Sequence, residues 1–232
     1  MNQTYNSLAN YLVEKLTLLS PENRYLVSIA GIPGSGKSTL SKNLIQRINY
    51  LMGNNRSIVI PMDGFHYSKK ELTTFPNVEE AFARRGAHWT FDIKSLLTLI
   101  EKLRLPINED LTINAPSFDH LKGDPEPDDI KILPSHKIIL IEGLYLHLKI
   151  PMWNSIALHM DDTWFIHVNQ EIAKERIIKR HIKTQIAENE EQAIFRIENN
   201  DMINADYILK NSLSPTRIIY SIVDDESNIN QT

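Results

Sequence analysis

The sequence predicts an α/β fold with a mostly parallel central sheet, and three observations carry that prediction. First, a strand-like run, Tyr25-Leu26-Val27-Ser28-Ile29-Ala30, passes through a glycine-rich turn into a segment with Leu40, Leu44, Ile45 and Ile48 at helical spacing. Second, two further apolar runs, from Ser57 to Met62 and from Lys137 to Ile141, lead directly into a carboxylate, Asp63 and Glu142. Third, helical patterns lie between these runs, the alternation that builds a parallel sheet covered by helices.

A chain of 232 residues suits one α/β domain, 1–232, with a substantial core and room for a small lid. Hydrophobic residues at 42% and charged residues at 23% are those of an ordinary globular protein. A formal net charge of −4 argues against a dedicated nucleic-acid binder, so an anionic ligand must be held by local charge. The absence of cysteine excludes disulfides, thiolate catalysis and zinc–thiolate sites. No apolar run reaches the roughly 18 residues of a membrane span. The expected location is cytoplasmic, with nuclear entry by diffusion, and the oligomeric state stays open, a homodimer included.

Residues 1–20 place Tyr5, Leu8, Leu12, Leu16 and Leu19 on one face, an amphipathic helix packed on the domain and lacking the marks of a secretory or mitochondrial leader. Ser20-Pro21-Glu22 ends it. The turn after the first strand, Gly31-Ile32-Pro33-Gly34-Ser35-Gly36-Lys37-Ser38-Thr39, satisfies G-x-x-x-x-G-K-[ST] and has the strand and helix that this motif requires on either side. Its backbone N–H groups and the following helix N-terminus make an anion cradle. Lys37 would reach the β- and γ-phosphates, the Ser38 hydroxyl would ligate Mg²⁺, and Thr39 adds a hydroxyl nearby.

Gly53-Asn54-Asn55 marks the next turn, and the second strand ends at Asp63-Gly64-Phe65-His66. A carboxylate just beyond a strand's C-terminal end lies where open α/β sheets bind their ligands, which makes Asp63 the first catalytic candidate. Asn77 and Glu80 form a capping-box pattern for a short helix that Gly86 would end. Asp92 is placed to cap the helix carrying Ile93, Leu96, Leu97, Ile100 and Leu103, a structural role to set beside any functional one. Leu111 to Ala115 reads as a short strand and Gly123 to Asp129 as an acidic, turn-rich loop, either a binding loop or a solvated connection.

The run ending in Glu142 is the most strand-like of all and would bring an acid beside the metal site. Thr163 to Val168 reads as a core strand, and Asn169 caps a helix to about Ala187. Arg176, Arg180 and Lys183 share one face of that helix, either as a solvated stripe or as the basic side of a lid. A second polar helix, Glu190 to Asn200, is capped by Asn189 with Gln192 at the box position, so the lid would span about 170–200. Ala205 to Leu209 and Arg217 to Ile222 read as the last strands, and 224–232 as a flexible tail. His136, His147 and His159 have no paired spacing for a metal and read as core or surface residues.

With these motifs in order, the chain resembles the uridine kinase, phosphoribulokinase and bacterial pantothenate kinase group of phosphate-loop kinases, from about Tyr25 to Leu209. It looks most like fungal and bacterial members described only as nucleoside- or nucleotide-kinase-like. The resemblance implies a three-layer P-loop NTPase fold with a small helical lid, and an ATP-dependent, Mg²⁺-assisted kinase acting on a hydroxyl of a small molecule: a nucleoside, a pantothenate-like compound or a sugar-like compound. It also implies Asp63 as general base, Ser38 and Glu142 around the metal, Arg176 and Arg180 as lid arginines, and His120, Arg85 and Asp92 in the acceptor pocket. Phe118 stands where the uridine enzymes carry tyrosine, and Arg84 to Trp89 is nearer the pantothenate form, which speaks against uridine. A nucleoside monophosphate kinase, using Arg84 and Arg85 on a phosphate, and an NTPase switch without a metabolite acceptor are the competing readings.

Overall fold

The computed structural model describes residues 2–53, 55–119 and 121–221. In chain order the elements are α1 (Asn2–Thr17), β1 (Tyr25–Gly31), α2 (Lys37–Met52), β2 (Ser57–Pro61), α3 (Lys69–Leu72), α4 (Val78–Ala83), α5 (Ile93–Arg104), β3 (Ile113–Asp119) and β4 (Asp124–Ile132). There follow β5 (Ile138–Gly143), α6 (Trp153–Leu158), β6 (Asp162–His167), α7 (Gln170–Lys183), α8 (Glu190–Arg196), α9 (Met202–Asn211) and β7 (Arg217–Tyr220).

Five strands form a wholly parallel sheet in the order β2-β5-β1-β6-β7, and β3 pairs antiparallel with β4 as a separate two-stranded sheet. β1 is buried along its whole length, and its side chains divide between two cores on opposite faces. Leu26 and Ala30 join Ile60, Ile139, Ile141 and Tyr145, while Val27 and Ile29 join Leu44, Ile48, Leu140 and Trp164. That period-two partition is the reason the central strand reads as continuous apolar sequence. The strands end in step, with Pro61 opposite Glu142 and Ala30 opposite Gly143, so three strand ends open on one edge.

The amphipathic reading of the N-terminus holds: α1 lies on α2 with Leu8 and Leu12 buried, each such side chain contributing roughly 1.5–3 kcal/mol. Asn77, Asp92, Asn169 and Asn189 each cap the helix assigned to them. Glu80 closes its cap on the Asn77 side chain, not on the backbone, and the short helix stops at Arg84, ahead of Gly86.

Three expectations are corrected. Ala205 to Leu209 is helical, inside α9, because Met202, Ala205 and Ile208 share the i, i+3 spacing of a buried stripe that a five-residue window conceals. The acidic stretch 123–129 is mostly strand β4, paired with a β3 that runs on to Asp119. Prolines hide this hairpin in the sequence, yet a two-stranded sheet is all edge, and the register shifts between Ala115 and Ser117, around Pro116. Finally, α7 ends at Lys183 with Gln185 in the left-handed region, and α8 gives way at Ile197–Asp201 to a wide π turn that feeds α9.

His147 is 1% exposed, accepts or donates one bond to the Ser28 hydroxyl, and is pushed by burial down to about 4. The unfolded chain therefore takes up this proton first as pH falls. Stability from this group is complete above about 6.5 and is lost towards 4, a difference of about 3 kcal/mol. Urea melts between pH 7 and 4.5 should show that decline, and His147→Gln should flatten it. His181, also held near 4 by burial beside Arg180 and Arg196, supplies remaining slope.

Candidate active site

The loop from Gly31 to Thr39 leaves β1 at the centre of the sheet and turns into α2, whose first residue is Lys37. Gly34, at φ +75°, sits where an added Cβ would meet the Ala173 carbonyl at 2.5 Å, so the loop tip lies directly against α7. Gly36 occupies the N-cap position at φ +97°, which leaves the first N–H groups of α2 uncapped by any side chain and aimed at the loop's interior.

Lys37 is buried, and its Nζ donates to the carbonyls of Gly31 (2.9 Å) and Ile32 (3.0 Å). Burial lowers its pKa to about 8; the Glu142 and Asp63 carboxylates oppose that shift and Arg180 adds to it. Lys37 thus feels both carboxylates and an arginine of α7. Glu142, at the end of β5, accepts from the Ser38 hydroxyl at 2.8 Å. Its pKa is raised, first by desolvation, with Lys37 pulling it down and Asp63 pushing it up. A desolvated carboxylate joined to a hydroxyl beside a phosphate loop is a donor set that suits a hard divalent cation. Among the described residues no group of three or more His, Cys, Asp or Glu side chains forms a metal site of its own. The remaining ligands for such a cation would therefore come from nucleotide phosphates and water.

Asp63 lies on the short 3₁₀ turn Met62–Phe65 just past β2. The turn is fixed by its backbone, since the Asp63 carbonyl accepts from the His66 amide (3.2 Å) and faces His66 Nδ1 (2.9 Å). Any Cβ at Gly64 would run into the Pro116 carbonyl, so the turn is seated tightly on β3.

Arg176, on α7, donates to the Gly34 carbonyl (3.3 Å) and the Ser221 hydroxyl (2.9 Å), while Arg180 is exposed one turn further on. The basic stripe is therefore no idle face: its first member touches the loop and its second contributes to the field at Lys37 and Glu142. Arg85 forms a 2.6 Å ion pair with Asp124, donates to the Tyr67 carbonyl at 2.9 Å and also reaches the Gly123 carbonyl. Asp92 accepts from the Ser95 amide (3.1 Å) and hydroxyl (2.5 Å), and its own amide donates to the Phe65 carbonyl at 2.7 Å. The Asp92 amide bonds the Asp63 turn while its side chain caps α5, and the Arg85 side chain ties Tyr67 to the β3–β4 hairpin. His120 lies outside the described residues.

Sequence reasoning missed two parts of the site. A cavity of about 250 Å³ beside the loop is walled by Tyr5 from α1, Thr39, Arg176, Tyr220 and Ser221. The amphipathic pattern located α1 but could not say that Tyr5 faces the loop. Next to Asp63, His66 packs between Phe91 and Phe118; its adjacency in sequence to Asp63 was the available signal.

Comparison with known proteins agrees with this architecture. A family described as an AAA domain matches residues 27–196. A Schizosaccharomyces pombe protein, provisionally named a uridine kinase, is 40% identical over 219 residues that cover 94% of this chain and 91% of that one. The ATP-dependent kinase YFH7 of Zygosaccharomyces rouxii is 30% identical over 69% of this chain, which spans 50% of that longer protein. The crystal structure of YFH7 from Saccharomyces cerevisiae superposes with a TM-score of 0.81 over 93% of this chain and 98% of that one, at 21% identity, a likeness of fold.

Proposed function

The chain belongs to the family described as an AAA domain and, with its relatives, to the P-loop ATP-dependent kinases, and from that premise we propose that it transfers the γ-phosphoryl group of ATP to a hydroxyl of a small metabolite, with Asp63 as the general base. The convergence of Lys37, the Ser38–Glu142 pair and Asp63 on one edge of the sheet carries this reading. Residues 31–39 cradle the phosphates through backbone N–H groups, and the base of the nucleotide lies in the cavity walled by Tyr5, Thr39 and Tyr220.

Asp63 takes the proton of the acceptor hydroxyl as its oxygen bonds to the γ-phosphorus and the bond to the β-phosphate oxygen breaks, giving a phosphate monoester and ADP. Little covalent chemistry is asked of the protein; positioning and charge do the rest. Lys37, Arg176 and Arg180 offset the charge that builds on the transferred group. Ser38 and Glu142 would hold Mg²⁺, which would neutralise part of the charge on the phosphates. Arg85 and Asp92 shape the acceptor side, Asp92 through its amide bond to Phe65 and Arg85 by tying Tyr67 to Asp124, with His120 as a further acceptor contact.

The competing monophosphate-kinase reading needs arginines for the acceptor's phosphate; Arg85 is paired with Asp124, while Arg84 donates to the neutral Asn204 Oδ1 at 2.9 Å and keeps its charge. A hydrolytic switch predicts ADP release that no acceptor alters. The deciding test follows ADP formation with and without a mixture of candidate hydroxyl acceptors and identifies the product by mass; acceptor-independent turnover with no phosphorylated product would overturn the kinase reading. In the base cavity, Tyr5→Ala is expected to raise KM for ATP by ~10-fold, the loss of one aromatic contact, with kcat little changed in steady-state kinetics.

A further inference from the structure

The cavity beside the loop draws its walls from four separate parts of the chain: the loop with the start of α2, α7 through Arg176, the ends of β6 and β7, and the first turn of α1 through Thr4 and Tyr5. The body of α1 is anchored further along. Leu8, Ala9 and Leu12 are buried in the core shared with α2, and the Tyr11 hydroxyl donates at 3.0 Å to Asp162, the first residue of β6. Tyr5 precedes Tyr11 by six residues, about 9 Å of helix, and meets the cavity beside Ile166, near the other end of the same strand. The first turn therefore projects past the fully buried stretch and towards the loop.

What meets it there is Arg47 of α2. Its guanidinium lies 5.7 Å from the centre of the Tyr5 ring, within cation–π range, and its Nη1 donates to Asn6 Oδ1. Two consecutive residues are thus held by one planar, multi-donor group, which fixes the position of the turn and the side of it that faces the cavity. Arg47 is not among the residues lining the cavity, so it reaches the cavity through Tyr5. It also stands ten residues along α2 from Lys37, about 15 Å from the phosphate end of the loop.

We propose that Arg47 is a positioning residue for the donor nucleotide: it holds the first turn of α1 so that Tyr5 is presented to the base, and base binding and the docking of that turn are coupled, whereas phosphate binding is independent of both. The proposal rests on the reading that places the base in this cavity, and it adds a residue that touches no part of the nucleotide.

The test compares, by calorimetry in the presence of Mg²⁺, the binding of ADP with that of inorganic tripolyphosphate, which has no base. Arg47→Ala should raise the Kd for ADP by ~10-fold, the loss of one cation–π contact and one hydrogen bond, and leave that for tripolyphosphate within about twofold. Arg47→Lys, which keeps a cation over the ring, should recover most of the loss. Equal weakening of both ligands, or an unchanged Kd for ADP, would overturn the proposal. In hydrogen exchange, ADP should slow the amides of residues 5–8 by ~10-fold and tripolyphosphate should not; slowing by both ligands, or by neither, counts against the coupling. Tyr5→Ala separates the two readings. If it leaves the Kd for ADP unchanged, the base lies elsewhere and the proposal falls with the cavity reading; if it weakens ADP and Arg47→Ala does not, only the role of Arg47 falls.

Discussion

Asp63→Asn is expected to lower kcat for acceptor phosphorylation by ~10²–10⁴-fold while the Kd for ATP stays within about threefold of the original. The two side chains have nearly the same shape, and the turn that carries them is held by main-chain contacts from His66 and by the seat of Gly64 on β3, neither of which needs a carboxylate. Geometry therefore survives and proton acceptance is lost. The loop proposed to bind ATP leaves a different strand, β1, and would do so through backbone N–H groups, so donor affinity should be insulated from the change. One electrostatic effect does cross the site: Asp63 raises the pKa of both Lys37 and Glu142, so its removal lets Glu142 ionise more readily and leaves Lys37 easier to deprotonate. Single-turnover assays at fixed pH, paired with nucleotide binding by calorimetry, separate these consequences. Near-normal transfer by the variant would remove Asp63 as the base.

The candidate site divides into parts that sequence could disclose and parts it could not. Residues 31–39, Asp63 and Glu142 were legible because each is fixed by its own neighbours: a strand, then a turn or an acid at the strand's end. The parallel sheet, the caps at Asn77, Asp92, Asn169 and Asn189 and the packing of α1 were legible for the same reason, since each depends on local periodicity or on one side chain meeting an amide three residues on or closer. Long-range closure was hidden. The Arg85–Asp124 pair joins residues 39 apart, and the Arg176–Ser221 bond joins residues 45 apart. β4 and the part of β3 beyond Ala115 failed to read as strand because their prolines and acids are tolerated only on an isolated ribbon, and α9 read as strand because Tyr207-Ile208-Leu209 is apolar whichever way the chain is wound. The aromatic cluster at His66 depends on β3 arriving beside the Asp63 turn, which only the tertiary fold determines.

Lys37→Met should separate function from stability. Transfer is expected to fall by ~10²–10³-fold, as befits the loss of a preorganised cation aimed at developing charge. The nucleotide-free protein, in contrast, should be no less stable than the original at pH 7. Lys37 is buried, and burial lowers its pKa from 10.5 to about 8, so below pH 8 the folded chain carries a charge that it desolvates at a cost of about 3 kcal/mol. The unfolded chain holds that proton more tightly between pH 8 and 10.5, so the cost is greatest below 8 and disappears as pH rises through 10.5. Against that relief stand two bonds to the Gly31 and Ile32 carbonyls, which at about 1 kcal/mol each leave the balance near zero or on the side of the variant. ATP reverses the account by placing anionic oxygens beside the ammonium, which raises the lysine's pKa again. Binding by the original protein should therefore take up protons at pH 8 to 9, visible as a dependence of binding enthalpy on buffer ionisation, and Lys37→Met should abolish that dependence. A variant markedly less stable without ligand, or one that still takes up the proton, would show that Lys37 is not the strained charge at this site.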